Sequence, residues 1–273
     1  MILSSHGIIG SSIVQIDADA VAFFARVTAA GGTLSATEKD AIFELVADLK
    51  GYGIWTKMKA IYPMVGASAA ACAQNLISSS FTGTFNGGWT FASTGVTPNG
   101  TTGYFDTNST ISNFTKTNIH FSYYSRTNNN APFQFTTEIG VGNGAVNLAY
   151  YELNIRRQNG NFSGNLSDNF TSSFSITNAN SQGHYMANRT SSSVLNGWKN
   201  GIKLITNTNT ALFVNTPTNN ILIAASKDGT GPIGNFSNRQ CALASLGDGL
   251  NDDEADDFYT AVQAFQTTLS RNV

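Results

Sequence analysis

The chain has 273 residues, of which 12% are charged and 11% aromatic, and its formal net charge is −2. Soluble domains average about a quarter charged residues, so this surface is built instead from Asn, Ser, Thr and Gly. The 18 Phe, 9 Tyr and 3 Trp exclude a disordered chain. The absence of a basic run excludes nucleic acid as a partner, and no apolar run approaches the ~18 residues of a membrane-spanning helix.

In chain order, the first sixteen residues are mildly apolar but have no basic n-region, apolar core or small-residue cleavage site, so no secretory signal is expected. Asp17 or Asp19 is placed to cap a helix whose apolar face is Ala20, Phe23, Phe24 and Val27, stopped by Gly31 and Gly32. Ser35 and Glu38 form a capping box for a second helix, with Ala41, Ile42, Leu45, Val46 and Leu49 on one side and Gly51 at its end. Trp55, Met58, Ile61 and Tyr62 recur at helical spacing over 54–64, which predicts a third helix ended by Pro63. Two or three short helices cannot bury their apolar faces alone. They need a sheet, a second subunit or a larger partner beneath them.

Beyond a boundary expected near 79–80 the period changes to two. Phe81, Phe85, Trp89 and Phe91 alternate with Gly, Asn and Thr, and Pro98-Asn99-Gly100 reads as a turn. Strands are expected at 102–107, 118–126, 133–141, 148–156, 161–163, 183–189, 194–199, 202–206 and 220–225. Asn200-Gly201 tolerates the positive φ of a type I′ turn and should close a hairpin. Many short strands at regular spacing imply an antiparallel jelly-roll β-sandwich, mainly β, with the N-terminal helical region (1–79) preceding a sandwich domain (80–273). Asn251 and Glu254 then cap a C-terminal amphipathic helix with Ala255, Phe258, Tyr259, Val262, Phe265 and Leu269 on one stripe.

The order of GYFDT (103–107), the WKNG hairpin (198–201), the isoleucine-rich strand at 220–225 and ASLGDGLNDDE (244–254) before a terminal helix resembles the concanavalin A-like lectin/glucanase superfamily in its laminin-G-like form, over roughly residues 80–273. The runs FFARVTAAGGTLS (23–35), IWTKMKAIYPMVG (54–66) and FTGTFNGGWTF (81–91) are similar to virion structural proteins of tailed bacteriophages, crAss-like gut phages in particular. That second resemblance implies a head fibre, decoration or tail-associated protein, located in the virion, partnered by capsid, portal or tail proteins and commonly a homo-oligomer. Phe23, Phe24, Trp55, Met58 and Tyr62 are then the expected anchoring or oligomerisation residues.

Chemistry is sparse in this sequence. Asp106, Glu138, Glu152, Asp168, Asp228 and Asp248 are the sandwich's acids before the terminal helix, and none pairs at i, i+2 or i+4 on one strand. The superfamily's Glu-x-Asp-x-x-Glu pattern of hydrolases is absent, so no enzyme is expected. His6, His120 and His184 are too scattered to suggest a triad. Gly140, Gly142 and Gly144 read as a loop without the Lys-Ser/Thr of a phosphate cradle. Asp248, Asp252 and Asp253 have the oxygen donors for calcium, but helix capping accounts for them, so neither metal nor cofactor is expected. Cys72 and Cys241 are either a disulfide or two buried thiols, the second being simpler. If the module binds a host surface glycan, Tyr123, Tyr124, Tyr150, Tyr151, Arg156, Arg157 and the Asn128, Asn129 and Asn130 run supply stacking platforms and planar polar groups.

Overall fold

A computed structural model describes residues 16–130, 135–144 and 149–273. Its helices are α1 (Ala18–Ala29), α2 (Ala36–Gly51), α3 (Ala69–Cys72) and α4 (Asp252–Thr268). Its strands are β1 (Met58–Tyr62), β2 (Thr84–Asn86), β3 (Trp89–Ala92), β4 (Gly95–Pro98), β5 (Tyr104–Asp106), β6 (Ile119–Ser125), β7 (Ile139–Gly142), β8 (Tyr150–Asn154), β9 (Asn161–Ser167), β10 (Phe174–Thr177), β11 (Gly183–Ser191), β12 (Val194–Lys199), β13 (Ile202–Asn207), β14 (Leu222–Ile223), β15 (Ser226–Lys227), β16 (Ile233–Gly234) and β17 (Cys241–Gly247). The expected strand residues 133–134 and 148, together with His6, lie outside the described residues.

The strands form the antiparallel β-sandwich that the pattern implies. The larger sheet runs β13-β12-β11-β6-β17-β4-β3, with β1 also paired to β17, and the smaller runs β10-β9-β8-β7-β14-β5-β2. One core fills the space between the sheets, with Phe121 and Tyr123 facing Val141, Tyr151, Leu153 and Phe105. A second core lies on the other side of the larger sheet. There Met58, Ile61, Tyr124, Met186, Trp198 and Leu243 meet Phe23, Val27, Leu45 and Leu49 of α1 and α2 and Phe258, Val262 and Phe265 of α4. The molecule is therefore three layers: small sheet, large sheet, helices.

Local chemistry places the helices where the sequence puts them. Asp17 caps α1 by accepting from the Asp19 amide at 2.9 Å, and the Ser35/Glu38 and Asn251/Glu254 capping boxes open α2 and α4. Asn200 and Gly201, both at positive φ (50° and 73°), close the β12–β13 hairpin.

The predicted third helix over 54–64 does not form. Trp55–Lys57 is a single 3₁₀ turn and Met58–Tyr62 is strand β1, paired with β17 from Met58↔Gly247 to Tyr62↔Ala244. The reason is two-sided burial. Ala60 and Tyr62 enter the core between the sheets while Met58 and Ile61 enter the helix-side core, a bulge between Met58 and Ala60 switching the faces, so both faces carry apolar residues and period two is broken. The segment before residue 80 thus supplies one strand of the larger sheet and two of the helices that cover it. Arg271, fully buried, ties the same region to the chain's end by donating to the carbonyls of Pro63 (3.0 Å), Met64 (2.9 Å) and Ala242 (2.9 Å). Cys72 and Cys241 are buried free thiols. Among the described residues no helix is long and apolar enough to cross a membrane.

Candidate functional site

On β8 the inward residues Tyr151 and Leu153 belong to the inter-sheet core. By strand alternation Tyr150 and Glu152 point to the outer face of the smaller sheet. Opposite them in register on β7 stand Gly142 and Gly140. A Cβ at Gly142 would lie 2.5 Å from Asp228 Oδ1 and 2.8 Å from the Tyr150 ring, so only glycine lets those two side chains close over the strand. Asp228 reaches this place because it bridges to Gly142, outside the main ladder. The expected glycine loop is therefore in part strand, and its glycines make the floor of a pocket.

That pocket, ≈ 270 Å³ in volume, is lined by Phe135, Tyr150, Glu152, Arg157, Phe170, Asp228 and Asn235. Tyr150 stacks on Phe170 with ring centroids 5.0 Å apart and 29° between planes. Across the opening, the Arg157 guanidinium lies 5.4 Å from the Phe135 ring centroid. Phe135 and Phe170 remain 48% and 53% exposed, although large aromatics normally seek burial. Glu152 is buried, 3.7 Å from Arg157 Nη2, while the same Nη2 donates to Asn154 Oδ1 at 2.8 Å. Among the described residues, Asp228 Oδ1 is buried with no hydrogen-bond partner.

Electrostatics follow from this enclosure. Burial raises the Glu152 carboxyl to about 7; Arg157 opposes that rise, and Asp228 adds to it. Burial also raises Asp228, and it raises the Tyr150 hydroxyl, with Asp228 and Glu152 reinforcing the latter. Beside the pocket, Glu138 and Arg239 form a fully buried ion pair at 2.5 Å. Glu138 also accepts from Ser237 Oγ (2.9 Å) and the Ile155 amide (2.6 Å), and Arg239 donates to the carbonyls of Asn129 and Arg156. This network fixes the chain on either side of β8's end, which carries Arg157 into position.

A larger hollow of ≈ 620 Å³ lies between the start of α2 and the end of α4. Of its polar side chains, Ser35 and Glu38 are spent on the capping box, Glu38 also accepts from the Gly66 amide, and Thr268 donates to Glu44. The smaller pocket has the convergent, partly unsatisfied groups that recognition requires. Among the described residues no group of three or more His, Cys, Asp or Glu is arranged to hold a metal ion.

Of the glycan-site residues expected from sequence, Tyr150 and Arg157 meet in this pocket. Tyr123 and Tyr151 are buried between the sheets, where Tyr123 donates to the Arg239 carbonyl at 2.8 Å. Tyr124 faces the helices and donates to Gln263 at 3.1 Å. Arg156 turns away to Asn128 (3.3 Å), and Asn129 holds Asn238. The expected anchoring residues fare similarly: Phe23 and Met58 are buried under the helices and Tyr62 between the sheets, bonded to the Phe81 carbonyl, so none offers surface to a partner. Phe24 and Trp55 are half-buried, against Phe43 and beneath Lys50 respectively. Phe135, Glu152, Phe170, Asp228 and Asn235 were not singled out as site residues. The Gly140-x-Gly142 spacing on a strand is the one sequence feature that marks their meeting point.

No protein-family model matches this chain. No curated protein sequence matches it either. Solved structures with a similar chain course include domain 4 of a GH43 extracellular arabinanase from Geobacillus stearothermophilus in complex with arabinotriose, 12% identical, covering 74% of this chain and 98% of that domain, with a TM-score of 0.48. A mutant sialidase of Trypanosoma rangeli is 11% identical over 81% of this chain and 38% of its own, with a TM-score of 0.49. The binding domain of botulinum neurotoxin serotype D is 11% identical over 76% of this chain and 52% of its own, with a TM-score of 0.48. At these values the likeness is one of β-sandwich architecture and assigns neither ligand nor activity.

Proposed function

We propose that this protein is a glycan-binding module without hydrolytic activity, with its site in the pocket of Phe135, Tyr150, Glu152, Arg157, Phe170, Asp228 and Asn235. The observation that carries the reading is the pairing of exposed aromatic rings with buried, under-used acceptors in one small pocket. A pyranose has an apolar C–H face that rings cover and hydroxyls that carboxylates and amides accept. The volume suits a single sugar ring at a chain end. The position on the outer face of the smaller sheet, opposite the helices, leaves the site open to a ligand displayed on another surface. We place the module on a phage particle, contacting other virion proteins and copies of itself and binding a host surface glycan; that setting rests on the sequence resemblance. A glycan array probed with the full chain should give hits that Tyr150→Ala abolishes, and the hit polysaccharide should keep its chain length on incubation. An array without hits overturns the binding reading, and shortening of the polysaccharide overturns the non-enzymatic one.

A further inference from the structure

Building on the glycan reading, we infer that the pocket selects a sugar residue bearing a free amine over one that is N-acetylated or bears a carboxylate. Two carboxylates, Glu152 and Asp228, line the pocket against one guanidinium. That guanidinium is partly engaged: Arg157 Nη2 donates to Asn154 and faces Glu152, its carbon lies 5.4 Å from the Phe135 ring centroid, and its Nε is buried with no partner among the described residues. Neither Arg156 nor Lys227, the nearest cations in sequence, lines the pocket. A ligand carboxylate would therefore meet two acidic side chains against one guanidinium, a balance that disfavours it relative to a cation.

An ammonium group meets the opposite reception. Asp228 Oδ1 has no partner among the described residues and accepts a charge-assisted hydrogen bond from it. The Tyr150 ring, close enough to Asp228 that only Gly142 fits between them, presents a π-face to the same cation. Burial holds both carboxyls above their ordinary values, and Asp228 adds to the rise at Glu152, a penalty that a bound cation relieves. A neutral, N-acetylated sugar fills the same volume but leaves the Asp228 oxygen without a charge partner.

The test is calorimetric titration of the full chain, near neutral pH and at low salt, with three probes: chitosan trisaccharide, its fully N-acetylated counterpart and trigalacturonate. The expected order is chitosan trisaccharide tightest by about tenfold, the N-acetylated sugar next, and trigalacturonate weakest. Asp228→Asn, which preserves shape, should erase the amine preference, bringing the ratio of the amine and N-acetylated affinities close to one. Equal affinity for all three sugars, or a preference for trigalacturonate, overturns this inference and leaves glycan binding standing. Silence of all three, together with an array without hits, overturns both.

Discussion

The two sheets of this sandwich treat their outer faces in opposite ways. On the larger sheet both alternate sets of residues are apolar, because the outer set is sealed by α1, α2 and α4. On β8 of the smaller sheet the inner set is apolar and the outer set carries Tyr150, Glu152 and Asn154, opposite the glycines of β7. Sealed polar groups follow suit. His120 and His184 lie buried against Phe258, with His120 held by the Asp248 carbonyl (2.6 Å) and Ser245 (3.0 Å), and burial drives them down to about 4 and about 3. On the pocket side burial drives a carboxyl up instead. One face is sealed by helices, and the other carries exposed aromatic rings beside raised carboxyls.

That contrast can be broken most forcefully at its two cores. Phe258→Ala should cost about 3–5 kcal/mol in urea unfolding, because it opens a cavity under the helix layer. Arg239→Met should cost a similar ~3–5 kcal/mol by leaving Glu138 buried and unpaired; adding Glu138→Gln should recover part of the loss.

The pH dependence of unfolding separates the faces by sign. Unfolded histidine titrates near 6.5, above the folded values, so between those limits the unfolded chain binds more protons and stability falls as pH drops from 6.5 towards 4 and 3. The slope is about 1.4 kcal/mol per pH unit for each histidine. Glu152 runs the other way: its ordinary value of 4.5 lies below the folded value of about 7, so its contribution is full below 4.5 and is lost as pH rises to 7. His184→Phe should flatten the acid limb and Glu152→Gln the neutral one. A wild-type profile without an acid limb would contradict neutral burial of the histidines. Smaller still, Tyr150→Ala should shift stability by less than ~1 kcal/mol while weakening glycan binding at least tenfold. Ile202→Lys, on the exposed edge strand β13, should stay within about 0.5 kcal/mol by thermal unfolding.

Legibility in the sequence followed the range of the interactions. Ser35/Glu38, Asn251/Glu254 and Asn200-Gly201 are determined within four residues, and each forms as read. Strand β1 was hidden because burial on both sides erases the alternation that distinguishes strand from helix. The pocket was hidden because Glu152 and Asp228, distant in sequence, meet only through the bridge between Gly142 and Asp228. Tyr123 and Tyr151 misled for a related reason: each neighbours a tyrosine of opposite facing, and composition alone cannot say which of the two points outward.

The pairing of β1 with β17 has a consequence for how the molecule is made. Residues 58–62 leave the ribosome well before their hydrogen-bonding partners at 244–247, and before the Arg271 that grips the carbonyls of Pro63 and Met64. The nascent chain must hold an apolar strand and two half-covered helices in waiting until those residues have been made. Slow, non-local closure of this kind exposes the chain to aggregation, and Arg271→Ala should register first in yield of soluble protein.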